Sequence, residues 1–507
     1  MDFSHHWYLV AAGISFLIPA GLVLLGAAGM SPQRAWDAAL GGLAAICLAG
    51  FGYWATGFAF HFGGVGLFYP DPELGSLVLE WSALPVDWGT GWGMAGLSGW
   101  FLTTEPMTPA IYALFLAHLP WAVTAAMLPV LALRGRAPAI ATLLLALLTG
   151  GLFYPLAGNW VQGGGWLAAM GNNLGLGHGL VDFGGAGTVF AVAAGITFAA
   201  LLIWLPRSAP RSLFDPTLPP VHLPLLAVVG ALLLLIGVVG WNWANPIQMA
   251  ALEPLAQLRG SVNALLFAVG GGIIPLLYTW FVTGESDPSM TARGVAAGTI
   301  AGFAGGPFVP PAVAFFVGLM AGATVPFITF ALNRLLRLND SAGVVVMSGI
   351  PAMIGLLSVG IFADGLMGVG WQRTGMESFL DVAGQGVSGL FVANGLQMGF
   401  PGQFQAQLIG ALTLTLWGFI TGTLVCAPLA VLFHGVELAA TGHAARSAPR
   451  ESADRPLAVN GQPTADNHHQ RLQERLEREQ MRQDAAYVAP TESLQRPFSE
   501  SPRRRSQ

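Results

Sequence analysis

Apolar residues run through this chain in long blocks separated by shorter polar stretches. Blocks of about 20 residues, the length that crosses about 30 Å of hydrocarbon as a helix, recur as far as residue 436 and then stop. Their spacing predicts eleven membrane helices, over residues 7–29, 36–60, 108–133, 137–157, 179–205, 221–243, 262–283, 292–308, 311–333, 341–363 and 404–436. The first block follows MDFSHHW, which has no positive n-region, and reads as a retained helix rather than a signal peptide. Glycines four apart, Gly294 with Gly298 and Gly318 with Gly322, mark close crossings, because helices in lipid approach one another through small residues. Five helices followed by five more have opposite orientations, as an inverted repeat requires. The expected fold is an all-α integral membrane protein with eleven transmembrane helices, a 5+5 inverted repeat plus one long C-terminal helix.

Composition agrees. The 507 residues are 54% hydrophobic and 9% charged, against about 25% charged in soluble domains. There is no lysine, so all 21 basic residues are arginine, and cytoplasmic loops collect such residues. With the N-terminus outside, Arg34, Arg134, Arg136, Arg207, Arg211, Arg293, Arg334, Arg337 and eleven arginines after residue 436 fall inside, and only Arg259 and Arg373 fall outside. This predicts a multi-pass protein of the cell membrane with a cytoplasmic C-terminus.

Two segments lie apart from the helices. Residues 62–107 carry Asp71, Glu73, Glu80, Asp87 and Glu105 with four tryptophans and no basic residue. They form an acidic, aromatic outer cap, read either as interfacial anchoring or as a vestibule that concentrates cations. Residues 437–507 turn abruptly polar and form a second, largely disordered cytoplasmic domain after the transmembrane domain 1–436. Within it QRLQERLEREQMRQ, residues 470–483, has the spacing of a short helix that could dock on a cytoplasmic regulator or the inner leaflet.

Candidate chemistry is sparse. Asp182 is the carboxylate most clearly inside a spanning block, where a charge is expensive and marks function by default. In the first turn of the fifth helix it could equally cap free backbone N–H groups. His118, two residues before Pro120, could bond a carbonyl freed by the proline, face a wet cavity, or pack with a satisfied hydrogen bond. His61 and His434 fall at helix ends and read as interfacial, and His178 could cap or orient the loop before Asp182. Cys47 and Cys426 read as small core residues. No histidine pair has metal-ligand spacing and no HExxH, GxSxG or Walker loop occurs. No enzyme activity, cofactor, metal or nucleic-acid partner is therefore expected.

Four stretches together resemble one family. GHGLVDFGGAGTVF (177–190) resembles the fifth-helix signature of the ammonium transporter and Rhesus family. GWNWANP (240–246), the junction 331–363 and NWVQGGGWL (159–167) resemble its sixth helix, its ninth-to-tenth helix junction and its glycine triplet. The resemblance covers residues 7–436 and implies an eleven-helix bundle, a homotrimer with one pore per subunit, and conduction of ammonium, ammonia or another small neutral solute. It also implies an outer cation site, a phenylalanine gate and two pore histidines.

Residue by residue, the scaffold of that pattern is kept and the pore chemistry is rewritten. Asp182 is retained. Eight residues on, about 12 Å along a helix, Phe190 stands where the first histidine belongs, and a one-residue shift gives Ala191. Ser348 replaces the second histidine, and Gly343 the aspartate just upstream of it. On the third helix Phe115 survives, and Leu119 replaces the gating phenylalanine. Trp241 and Asn245 are kept, Ala244 replaces a phenylalanine, and Gln248 falls near the hydroxyl position. Gln162 replaces the cation-stacking tryptophan, with Trp160 close by. The path thus predicted runs past Asp182, Phe190, Ser348, Phe115, Leu119 and Ala244, with His118 as a substitute imidazole. The alternative is a non-conducting receptor that signals through the tail.

Overall fold

The structure is a computed structural model that describes residues 3–447 apart from 29, 31, 86–87, 89–91, 134–136 and 205–221. The predicted tail helix therefore lies outside the described residues.

Among the described residues, eleven long helices follow in order. They are α1 (Phe3–Ser15 and Leu17–Ala28), α2 (Pro32–Gly52, a π turn Tyr53–Gly57, then Phe58–Phe62), α3 (Pro109–Leu133) and α4 (Ala139–Leu148, a π turn Thr149–Phe153, then Tyr154–Val161). Next come α5 (a π turn Ala186–Ala191, then Val192–Trp204), α6 (His222–Trp243), α7 (Pro254–Thr283) and α8 (Pro288–Gly305). The last three are α9 (Pro311–Phe330 with a π turn Ala331–Leu336), α10 (Val344–Phe362) and α11 (Gly402–Ser447). Among the described residues, ten are long and apolar enough to cross a membrane. The other, α8, is rich in glycine and alanine and is almost wholly buried from Gly294 onward, so its environment is protein more than lipid.

The ends depart from expectation where local chemistry decides. α7 starts at Pro254 rather than 262, because a proline at the first helical position is preorganised for the helix. α5 starts at Ala186 rather than 179. α11 continues through Ser447, eleven residues beyond the end of its apolar block. Cys426 is buried but Cys47 is exposed, a correction to its reading as a core residue: it lies on the outward face of α2.

The glycine pairs do what their spacing predicts. Gly294 and Gly298 of α8, and Gly318 and Gly322 of α9, all meet the backbone of α7 at Phe267 and Gly271, where an added Cβ would collide with main-chain atoms. α2 and α4 meet through their π turns, with Thr56 Oγ1 donating to Gly151 O at 2.8 Å.

One end of the bundle carries two caps. The first holds the antiparallel strands β1 (Glu80–Ser82) and β2 (Gly93–Gly96), and the second β3 (Ser378–Phe379) and β4 (Val382–Ala383). Arg373 of the second cap donates to Phe68 O of the first at 2.8 Å. Arg259 at the head of α7 pairs with Asp364 after α10 at 2.6 Å.

Gly298→Val should lower stability by about 3 kcal/mol, read as a lower thermal midpoint in detergent. Gly13→Ala, where nothing lies within 4 Å of the new methyl, should leave the midpoint unchanged.

Candidate functional site

Between the cap end and α5 the chain enters the bundle as non-helical backbone. Gly179 and Gly185 take φ of 70° and 79°, a region open to glycine and strained for other residues. This glycine-rich geometry delays α5, so Asp182 stands four residues ahead of the helix rather than in its first turn.

Every residue from 177 to 194 is buried, and irregular backbone in a membrane protein is tolerated only where protein satisfies its polar groups. Here each carbonyl receives its own side chain. Gln403, Gln372 and Gln407 donate to Gly179 O, Leu180 O and Val181 O, all at 2.9 Å. Gln162 donates to Asp182 O at 3.1 Å, Gln248 to Phe183 O at 2.7 Å, and Trp241 Nε1 to Gly184 O at 2.8 Å. On the donor side, His178 N–H gives to Gln403 Oε1 at 2.7 Å and Val181 N–H to Gln407 Oε1 at 2.8 Å.

Asp182 closes this segment onto the helix. Its carboxylate accepts from the N–H of Gly187 at 3.1 Å, the N–H of Thr188 at 2.9 Å and the Thr188 hydroxyl at 3.1 Å. The helix then opens with its π turn, so the 12 Å α-helical path to Phe190 does not apply.

α10 begins the same way. Asp340 accepts from the N–H groups of Val344, Val345 and Val346 at 3.0, 2.8 and 3.2 Å. It stands eight residues before Ser348, as Asp182 stands eight before Phe190. The carboxylate read as lost at Gly343 is thus present three residues earlier, and Gly343 is the left-handed turn at φ 73°.

A small cavity of about 20 Å³ faces the two caps. It brings together Gln162, Asp182, Asn245 and Gln248 with Tyr69 of the first cap and Trp371 and Gln372 of the second. Gln162 Oε1 and Gln372 Oε1 are buried without a hydrogen-bond partner. Burial pushes the Tyr69 hydroxyl above its ordinary value while the Arg373 guanidinium opposes this, so Tyr69 presents a neutral ring.

The remaining expected residues lie elsewhere. Phe190 stacks on Phe303, centroids 5.4 Å apart, and lies 6.2 Å from Trp241, which stacks on Trp121 at 5.0 Å. These four buried rings fill the space between α3, α5, α6 and α8. Ser348 gives its hydroxyl to Val344 O at 2.6 Å. Phe115 stacks on Tyr53 at 5.5 Å and Leu119 lies toward Gly50, so both face α2. Trp160 donates to Met94 O at 3.0 Å beside Trp417. Ala244 packs with Ala11, Ala12 and Ala117.

His118 packs with satisfied hydrogen bonds, one of its expected readings, whereas His61 departs from expectation. His118 bonds no carbonyl freed by Pro120: it meets Tyr154 Oη through Nδ1 and Asn245 Nδ2 through Nε2, both at 3.0 Å. His61, expected at the interface, is fully buried, because α2 extends past residue 60 and carries it inside. Its ring lies 4.8 Å from His118 and 3.3 Å from Tyr53 Oη through Nδ1. His178 is also fully buried, and burial lowers it to about 3.

A family model described as Ammonium Transporter Family matches residues 6–439. The chain belongs to the ammonium transporter family. It is 29% identical to ammonium transporter Amt2 of Archaeoglobus fulgidus, over 82% of this chain and 80% of that one. It is 24% identical to ammonium transporter 1 member 3 of Solanum lycopersicum, over 82% and 84%. Among solved structures, Candida albicans Mep2 superposes with a TM-score of 0.65 at 20% identity over 92% of this chain and 95% of that one. A sensor Amt protein gives 0.65 at 20% identity over 84% and 92%. These likenesses agree with the all-helical membrane bundle described above.

The cavity and the segment before α5 also involve residues that sequence reading passed over. Gln403 and Gln407 are four apart in the apolar helix α11, which is a legible signal for one polar face. Tyr69, Trp371 and Gln372 lie in caps, where no periodicity points to a cavity. Glu80 weakens the reading of the first cap as an anionic funnel. Its carboxyl packs against Gly64 and Gly93, and burial raises it to about 7.

Gln407→Leu strips three buried backbone groups, Val181 N–H, Val181 O and Leu356 O. At about 1–3 kcal/mol per orphaned group, it should lower the thermal midpoint far more than Gln405→Leu at an exposed site. For Glu80 the raised folded value means the neutral acid is the better-accommodated form. Its contribution is intact below the unfolded value of 4.5 and is lost as pH rises through about 7. The midpoint gain of Glu80→Gln over wild type should therefore be larger at high pH than at low pH.

Proposed function

We propose that this protein passes ammonium or ammonia, or another small neutral solute, across the cell membrane, and that the solute is selected in the cavity under the caps. The observation that carries this reading is the pair of unpartnered amide oxygens, Gln162 Oε1 and Gln372 Oε1, on residues lining one cavity. An N–H donor supplies what both lack. Tyr69 and Trp371 add ring faces that attract a cation, and the Asp182 carboxylate adds a fixed negative charge behind them. The names of the relatives agree with such a substrate.

Beyond the cavity Phe190 and Ser348 offer no imidazole, so the species that crosses the bundle is neutral. Asp182 organises the mouth by fixing the start of α5. Trp241 clamps the segment before α5 through Gly184 O, while Phe115, Leu119 and Ala244 shape the helix packing around the path.

Orientation follows from the arginines. Arg259 and Arg373 stand at the cap end, and Arg293, Arg334 and Arg337 at the opposite end, which supports caps and N-terminus outside and C-terminus in the cytoplasm. A homotrimer and a cytoplasmic regulator at the tail belong to the same proposal. So does the division into a transmembrane domain 1–436 and a polar tail 437–507. The role is transport rather than catalysis.

One observation favours a second reading. The stacked rings of Trp121, Trp241, Phe303 and Phe190 occupy the bundle beyond the cavity, which suits a receptor that binds solute without passing it.

An ammonium pulse applied to proteoliposomes separates the two. Transport predicts internal alkalinisation above that of empty vesicles, with a rate about tenfold lower in Gln162→Ala or Gln372→Ala. No alkalinisation in wild type, with a signal restored by Phe190→His, would overturn transport in favour of the receptor.

A further inference from the structure

The cavity does not end at its polar floor. Asn245 lines it and also touches His118, the first member of a buried group that includes Tyr154, His61 and Tyr53. All five residues are at most 2% exposed, and the arrangement of donors fixes where the protons are.

Asn245 is the N-cap of the short helix Pro246–Ala250. Its Oδ1 accepts from the N–H of Ile247 at 3.0 Å and of Gln248 at 3.4 Å. Two backbone donors can face only the oxygen of the amide, so the amide orientation is set by the cap rather than by the histidine. The Nδ2 group then points at His118 Nε2, 3.0 Å away. An amide NH₂ only donates. His118 Nε2 must therefore accept, and a neutral imidazole with an accepting Nε2 carries its hydrogen on Nδ1. That hydrogen meets an acceptor, Tyr154 Oη, at 3.0 Å.

We infer that Asn245 locks His118 as the neutral Nδ1–H tautomer, leaving no free lone pair to take a proton from a solute in the cavity. This rests on the transport reading only for its consequence, that the species admitted past Asn245 is neutral. To receive a proton on Nε2, His118 would face donor against donor, and Asn245 could relieve this only by abandoning its cap.

No carboxylate is bonded to His118: Asp182, which lines the same cavity as Asn245 and acts on Tyr154 through its charge, spends its oxygens on Gly187 and Thr188. The titratable groups facing His118 are His61 from α2 and Tyr154 from α4, with Asn245 from the α6 end, and Trp121 of α3 beside the ring. None is a carboxylate. His61 does not extend the chain of hydrogen bonds either: its Nδ1 meets Tyr53 Oη, and its Nε2 is buried against Gly158 without a partner. The two imidazoles touch edge to face, yet each is bonded to a different tyrosine. His118 is thus a fixed hydrogen-bonding wall and no substitute for a proton relay, and Asn245 is a positioning residue that sets specificity by charge.

Asn245→Asp isolates the effect, because aspartate keeps the cap and replaces the donor with an acceptor. Nitrogen-15 NMR of the full-length protein labelled at histidine, with His118 assigned by loss of its signals in His118→Gln, reads the tautomer directly. The wild type should show one pyrrole-type nitrogen at Nδ1 and one pyridine-type nitrogen at Nε2, unchanged between about pH 5 and 8. Asn245→Asp should convert both to the pyrrole type of an imidazolium. An Nε2–H tautomer, or an imidazolium in the wild type within that range, would overturn the lock.

Tyr154→Phe provides a second arm should Asn245→Asp fail to fold. It removes the Nδ1 partner but leaves Asn245, so the Nδ1–H tautomer should persist, and a switch to Nε2–H would remove Asn245 as the determinant. In proteoliposomes the wild type should alkalinise without current and Asn245→Asp should add a current. A wild type that passes nothing fails the transport reading alone, since the tautomer is read without transport.

Discussion

A main chain that leaves its helix inside a membrane bundle must find a partner for every polar group it exposes, and residues 179–184 do so one carbonyl at a time. Five glutamines and a tryptophan answer six successive carbonyls. They come from α11, the second cap, α4, α6 and the short helix after it. The irregular segment is therefore the point at which distant parts of the sequence are held in register. Gln162, Gln372 and Gln248 face the cavity as well, so the groups that meet a solute are the same groups that hold the backbone. A change in one is felt by both.

The two five-helix halves show their relation here more clearly than in their sequences. α5 and α10 enter from opposite ends of the bundle, each behind a left-handed glycine, Gly185 or Gly343, and each under a carboxylate that reaches its first N–H groups from several residues upstream. Free N–H groups at a helix start favour an anion, and the same solution stands at both starts. The positions eight residues further on, Phe190 and Ser348, differ in everything except their place. One fills the core with a ring, and the other returns its hydroxyl to its own helix.

What could be read from sequence follows from how each feature is encoded. Eleven apolar blocks, the arginine distribution and the glycine pairs Gly294/Gly298 and Gly318/Gly322 are local or periodic, and the fold was legible from them. Asp182, Gln162 and Asn245 reach the cavity through the family pattern. The late start of α5 escaped because hydrophobicity does not register a change from extended to helical backbone, although Gly184 and Gly185 carry that information. His61 escaped because the apolar block was ended at residue 60, just short of it. Asp340 escaped because the family resemblance puts the aspartate at Gly343, just upstream of Ser348, whereas the carboxylate stands three residues earlier. Tyr69, Trp371 and Gln372 converge only in three dimensions.

The contact between Gly158 and His61 has a consequence for how such chains diverge. The imidazole of His61 occupies the volume that a side chain at position 158 would need, on a helix face tied to α2 through the Thr56 bond to Gly151. The two positions are therefore one packing unit. In a lineage that gains a side chain at 158 the ring at 61 must shrink or leave, and a lineage that keeps the ring must keep the glycine.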